Sequence, residues 1–237
     1  MVNFIKLILI KFSRVIYYII PTEFRSNSKS KLKLKLKDNL VDEMFDHFNE
    51  HFKKSLILKD VLQIREYAIK TSLLNDKNNE YYYLEFGVFK GKSANYFSKF
   101  VNKFYCFDSF EGLKEDWLGT ELPKGHFNLN KKVPKLNSNV TPIVGWVEDT
   151  LHEFLKKHNP KINFVHMDMD GYKASKFVLE KLKPYLAKNA IILFDELYNY
   201  IGWEHGEYKA LNDVFKEDEY QFKAFNLYAS QCYIQIK

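Results

Sequence analysis

A chain of 237 residues that is 46% apolar and 17% aromatic can bury one good core and is too rich in aromatic residues for a disordered segment, so one α/β domain with a short appendage is the expected organisation. Its two cysteines, Cys106 and Cys232, lie in β-like apolar runs and form no C-x-x-C pair, which points to a reducing, cytoplasmic setting and argues against a cysteine-ligated metal. The net charge of +6 is uneven: residues 1–37 hold nine Lys/Arg and one Glu, leaving 27 basic and 29 acidic residues in 38–237, so the body is nearly neutral and no nucleic-acid cleft is expected.

In chain order, residues 3–20 form the most apolar stretch, but Lys6, Lys11 and Arg14 interrupt it too often for a transmembrane span, and a signal peptide would need an uncharged centre and a small-residue cleavage site. Two readings remain for it. One is an interfacial helix lying peripherally on anionic lipid at the inner face of a membrane; the other is a helix packed on the body or on a second subunit of a homo-oligomer. Residues 21–38, with Lys alternating at 29, 31, 33, 35 and 37, read as a solvated linker, so the expected division is 1–38 and a single domain over 39–237. Helical stripes follow at about 39–53 and 57–74, forming an N-terminal cap over 39–75. His47 and His51, one turn apart on the first, read as surface residues and not as a metal pair.

From residue 81 strand and helix alternate. Strands are expected at 81–86, 103–107, 140–145, 162–167 and 190–195, with helices at 92–101, 149–158, 172–187 and 206–217. The last two β-like runs, 220–228 and 231–236, are too close for a helical crossover and should pair as an antiparallel hairpin. This pattern predicts a mostly parallel, seven-stranded sheet ending in that hairpin, with helices on both faces. The run Tyr81–Phe86 ends at Glu85 and passes through Gly87 and Gly91 into a helix start at Ser93. A strand, tight turn and helix of this kind lets a ligand approach the backbone closely, although the G-x-x-x-G spacing is not the dinucleotide fingerprint.

In an open α/β sheet ligands collect at the carboxyl ends of the strands, and the acids of this chain repeatedly fall there. Glu85 closes the first strand, Asp108 the second, Glu148-Asp149 follow the third, Asp168 and Asp170 close the fourth, and Asp195-Glu196 the fifth. One such acid is an ordinary cap or turn residue; five strand ends in succession are harder to explain that way. Asp108, about twenty-three residues after Glu85, stands where Rossmann-like folds hold ribose hydroxyls. The last two strand ends gather three or four hard oxygen ligands suited to Mg²⁺ or a similar divalent cation, without which at least one carboxyl would stay protonated.

The motifs Leu84-Glu-Phe-Gly-Val-Phe-Lys-Gly-Lys-Ser93, Phe107-Asp-Ser-Phe-Glu-Gly-Leu113, Gly145-Trp-Val-Glu-Asp-Thr-Leu151, His166-Met-Asp-Met-Asp-Gly-Tyr172, Phe194-Asp-Glu196 and Gly206-Glu-Tyr-Lys-Ala210 resemble, in order, those of the macrocin O-methyltransferase (TylF-type) family. That resemblance spans about residues 57–215. It implies a Rossmann-like class I methyltransferase fold and S-adenosylmethionine-dependent O-methylation of sugar hydroxyls in a glycan or glycosylated metabolite. It further implies that Glu85, Gly87, Gly91 and Ser93 line the methionine end of S-adenosylmethionine, Asp108 and Ser109 its ribose, and Glu148 and Asp149 the adenine edge. A divalent metal, normally magnesium, is implied on Asp168, Asp195 and Glu196. Three positions depart from the family pattern: Lys92 replaces a frequent second glycine, Gly171 a larger residue, and Glu196 the second of two aspartates.

A sugar hydroxyl is a poor nucleophile until its proton is removed, so a base is required beside the metal. Asp170 is the leading candidate, His126 in the long loop the reserve, and the loop 111–139 with the helices before residue 75 is expected to cover the cleft and select the acceptor. Two rival readings stand beside this one. Asp168-Met-Asp170 is also a D-x-D of the kind that binds nucleotide-sugar diphosphates in metal-dependent glycosyltransferases, and a non-catalytic methyltransferase-like binding protein would keep the fold alone.

Overall fold

The computed structural model describes residues 29–237, so the apolar stretch 3–20 lies outside the described residues. Among the described residues no helix is long and apolar enough to cross a membrane. A contact boundary after Glu43 divides the chain into two units. Helix α1 (Lys29–Phe52) begins in the first and ends in the second. It corrects the linker expectation: the lysine-alternating stretch is helical from Lys29, because leucine and lysine both favour a helix and alternation alone does not make a strand without a partner.

The second unit is one eight-stranded sheet with flanking helices. Its strands are β1 (Leu56–Leu58), β2 (Tyr82–Phe86), β3 (Phe104–Asp108), β4 (Val140–Val144), β5 (Ile162–Met167), β6 (Leu186–Phe194), β7 (Tyr220–Asn226) and β8 (Cys232–Ile236). They lie in the order β1-β7-β8-β6-β5-β2-β3-β4, with β8 antiparallel to both neighbours and every other pair parallel. Seven strands were expected. The eighth, β1, is a three-residue edge strand beside β7, in a run that helical periodicity had claimed for the following helix.

Between these strands run α2 (Val61–Leu73), α3 (Lys92–Phe97), α4 (Val147–His158), α5 (Tyr172–Leu182) and α6 (Glu207–Val214). Helices α2 and α3 pack on each other, and α4, α5 and α6 pack in series. Local chemistry starts and stops them. Asp60 caps α2 through the Gln63 backbone N–H at 2.8 Å. Helix α4 has Glu148 and Asp149 in its first turn, Lys156, Lys157 and His158 in its last, and Asn159 in the left-handed conformation closing it.

The core sits on the central strands. All six residues of β5 are buried, as expected of a parallel strand covered on both sides. From Met44 onward α1 docks by aromatic contacts: Phe48 is fully buried among Tyr198, Trp203, Tyr208, Phe222 and Phe225, with ring centroids 5.3 to 6.0 Å away. His47 and His51 are exposed as expected, and each also lays its ring against this cluster, His47 on Trp203 and Tyr208, His51 on Phe222. Phe48→Ala should therefore lower the unfolding free energy by about 3–5 kcal/mol, measured by urea denaturation, whereas a loss below about 1 kcal/mol would show that this docking is not part of the core.

Candidate active site

The chain runs from β2 outward through β3 to β4, then returns to β5 beside β2 and continues to β6, so the topological switch lies between β2 and β5. There the strand ends are stitched together one residue beyond the sheet. Gly87 N donates to Phe107 O (2.9 Å), Asp168 N to Phe86 O (2.9 Å), Asp195 N to Met167 O (2.9 Å) and Gly145 N to Asp108 O (3.0 Å). Parallel register thus carries the strand-end acids to one level, which is the physical reason they converge. A cleft of about 630 Å³ opens beside them.

Gly87 fixes how close the two central strand ends come. Its φ is +89°, and a Cβ there would stand 1.7 Å from the carbonyl oxygen of Asp168. Asp108 ties the same turn from the next strand: Oδ2 accepts the N–H groups of Val88 and Phe89, both at 2.8 Å, and Oδ1 accepts that of Phe110 at 2.7 Å. Gly87, Asp108 and Ser109 line the cleft on this side, and Trp146 and Glu148 line the other, where Lys114 lies 2.9 Å from Glu148 and over the Trp146 ring.

The β3–β4 loop forms a third wall with Gly112, Leu113, Lys114, Glu115, Asp116, Trp117 and Phe127, as expected of a covering loop. It is held in place at Gly119, where a Cβ would fall 1.6 Å from Ile201 O, and by Trp117 against Tyr200. No residue from 44 to 86 lines the cleft. The contribution of α2 is instead Arg65, which reaches Asp195.

The floor carries Asp168, Asp170 and Glu196, whose carboxylate oxygens lie within 4.8 Å of one another. Burial, then repulsion from Asp195, holds Asp168 well above the ordinary carboxylate range, and burial followed by Asp195 and Asp168 does the same to Glu196. Asp170 is pushed up to about 7 by burial, Asp195 and Asp108, and it sits at φ +61°, a conformation rare outside glycine. Glu196 Oε2 is buried without a hydrogen-bond partner. Hard oxygen donors that repel one another, one of them orphaned, fit a divalent cation.

Asp195 is placed differently. It does not line the cleft, and with Asp168 and His166 it forms a second group within 4.8 Å. Its Oδ1 accepts from Arg65 Nη2 at 2.9 Å, from His166 Nε2 at 3.1 Å and from Gln231 Nε2. The other ring nitrogen of the buried His166 meets Glu85 Oε1 at 2.8 Å. Burial opposes a charge on His166, but the hydrogen bonds to Asp195 and Glu85 outweigh it and raise its pKa to about 9; burial likewise opposes the Asp195 charge, and His166 with Arg65 hold that carboxyl below its usual range.

Of the residues singled out from sequence, Gly87, Asp108, Ser109, Glu148, Asp168, Asp170 and Glu196 line the cleft, while Glu85, Gly91, Ser93, Asp149 and Asp195 do not. Glu85 is fully buried against His166. His126 is exposed beside Phe127 and outside the cleft wall. Arg65, Gln231, Trp146 and Glu207 were not anticipated. Arg65 and Gln231 come from segments distant in sequence, and nothing local marks them. Glu207 stood in a quoted motif without a role; it is buried and bonds the Glu196 backbone N–H at 3.2 Å.

Residues 84–197 match the model of a methyltransferase domain. The match includes Asp168-Met-Asp170, so the D-x-D lies inside that domain, against the glycosyltransferase reading. Among solved structures, CalS11, described as a calicheamicin methyltransferase, is similar at a TM-score of 0.61 with 20% identity, covering 89% of this chain and 93% of its own. An apo form described as a TDP-rhamnose 3′-O-methyltransferase aligns at 0.54 with 19% identity, over 89% of this chain and 95% of its own. The O-methyltransferase NovP aligns at 0.50 with 18% identity, over 74% and 79% of the two chains. No curated protein matches the sequence. The fold is that of class I methyltransferases, and residues 84–197 carry the methyltransferase-domain match within it.

Gly87→Ala forces the β2 turn away from Asp168 whatever rotamers its neighbours adopt. It should weaken S-adenosylmethionine binding about tenfold or more by calorimetry, since displacements near 1 Å at a site cost on that scale. Unchanged affinity would show that this turn does not shape the ligand site.

Proposed function

We propose that the protein is an S-adenosylmethionine-dependent O-methyltransferase acting on a sugar hydroxyl, with a divalent cation held by Asp168 and Glu196. The observation that carries this reading is the acid trio on the floor of the cleft, its carboxylate oxygens within 4.8 Å of one another. The described activity of CalS11 as a TDP-rhamnose 3′-O-methyltransferase and the ordered macrocin-type motifs support a sugar oxygen as the acceptor atom, and the description of NovP supports an oxygen acceptor.

S-adenosylmethionine, when bound, supplies an electrophilic sulfonium methyl. It would lie along Gly87, Val88, Asp108 and Ser109 with its base toward Trp146 and Glu148, a cleft of about 630 Å³ being within the usual range for a ligand of its size. A divalent cation, when bound, supplies Lewis acidity to an acceptor hydroxyl. Asp168 and Glu196 are the residues suited to hold it, because burial and then the nearby Asp195 charge strongly disfavour the ionised form of both carboxyls, and Glu196 keeps an unpartnered oxygen.

Asp170 takes the acceptor proton on its carboxylate. It lines the cleft, and its pKa of about 7 is near the optimum for a base working at neutral pH. His126, exposed and off the wall, is not placed for that role. The β3–β4 loop, held by Trp117 against Tyr200, walls one side of the cleft. Its Glu115 meets Lys173 of α5 at 2.6 Å, bringing two cleft-lining walls together.

Transfer of labelled methyl from S-adenosylmethionine into a panel of nucleotide sugars and glycan extracts tests the reading. Activity should be lost on adding a chelator and restored by Mg²⁺. Asp170→Asn should lower kcat about 10²–10⁴-fold while S-adenosylmethionine affinity is kept. Full activity of the purified protein after chelator treatment, or of Asp170→Asn, would contradict the cation and the base respectively.

A further inference from the structure

Six carboxyl groups crowd the strand ends: Glu85, Asp168, Asp170, Asp195, Glu196 and Glu207. Among the described residues, two basic side chains pair with them, Arg65 and His166. His166 belongs to β5, the strand that Asp168 and Asp170 follow. Arg65 does not: it projects from α2, outside the 84–197 segment that matches the domain model, and its guanidinium is 14% exposed where it meets Asp195.

Three donors from three parts of the chain end on the single oxygen Asp195 Oδ1: Arg65 from α2, His166 from β5, and Gln231 from the residue before β8. Asp195 itself stays out of the cleft, but the next residue, Glu196, enters it beside Asp168 and Asp170. Asp195 and Glu196 are consecutive residues in the bend that directly follows β6, so fixing the Asp195 carboxylate fixes the direction in which Glu196 leaves the sheet. A guanidinium is charged at any relevant pH and presents planar donors, which suits it to such an anchor better than an ammonium.

We propose that Arg65 is a positioning residue of the active site, acting through Asp195 to hold Glu196 and Asp168 at the separation a divalent cation requires. The inference rests on the proposed cation-dependent reading. It makes α2 part of the catalytic machinery without any contact to substrate, in the way that groups behind a metal ligand set its orientation and affinity.

The test is the thermal shift of the full chain titrated with MgCl₂, for the wild type, Arg65→Gln and Arg65→Lys, with methyl-transfer kinetics alongside. The Mg²⁺ concentration giving half the shift should rise about 10–100-fold in Arg65→Gln and less in Arg65→Lys, and kcat should fall while KM for S-adenosylmethionine is unchanged. In Arg65→Gln/Asp195→Asn the Mg²⁺ midpoint should move no further than in the single variants, because the two residues act as one unit. Lower melting temperatures with a wild-type Mg²⁺ midpoint and kcat would reduce Arg65 to a structural role and overturn the inference alone. If Arg65→Gln does not fold, Arg65→Lys carries the same comparison. A wild type that gives no shift with Mg²⁺ would overturn the cation-dependent reading and this inference with it.

Discussion

Everything at the carboxyl edge of this sheet depends on keeping like charges together. Five adjacent parallel strands, β6, β5, β2, β3 and β4, end at the same level because four backbone bonds continue the ladder just beyond them, and the acids at those strand ends are carried toward one space. Burial first, and then repulsion from neighbouring carboxylates, raises the pKa of Asp168, Asp170 and Glu196. The structure answers part of the charge with two of its own basic groups. Glu85 and Asp195 sandwich His166, and Arg65 closes the far side of Asp195.

That division separates the acids by role. Glu85 and Asp195 are turned inward and hydrogen-bonded, a buried network that specifies how β2, β5, β6, α2 and β8 meet. Asp168, Asp170 and Glu196 face the cleft and are left with less compensation. A fold gains nothing in stability from placing three repelling carboxyl groups on a cleft floor, and the proposed cation and acceptor hydroxyl are their natural complements. The glycine turn at Gly87 and the Asp108 tie serve the same end by bringing the cofactor-side wall against the acid floor.

Much of this was legible in the sequence. Strand-sized apolar runs alternating with helical stripes predicted the sheet and its terminal hairpin, and most boundaries from β2 onward fall within a few residues of expectation. The failures have local causes. Edge strand β1 is three residues long, below what periodicity can register, and β6 starts at Leu186 because Lys188 and Asn189 break its apolar run without breaking the strand. The acids at the strand ends were visible as a series, but not their division into inward and cleft-facing sets. That depends on Arg65 and Gln231, which lie 130 and 36 residues from Asp195 and meet it only after folding. His126 was attractive as a residue type, yet loop geometry turns it outward.

The claim at the centre is the proposal that Asp168 and Glu196, two of the cleft-facing trio, hold a divalent cation at the site of methyl transfer. Anomalous scattering from crystals soaked in Mn²⁺ and S-adenosylhomocysteine measures it directly. A single anomalous peak within coordination distance of Asp168 and Glu196, facing the cleft, is the predicted result. A cofactor-filled cleft with no anomalous peak among Asp168, Asp170 and Glu196 would contradict it.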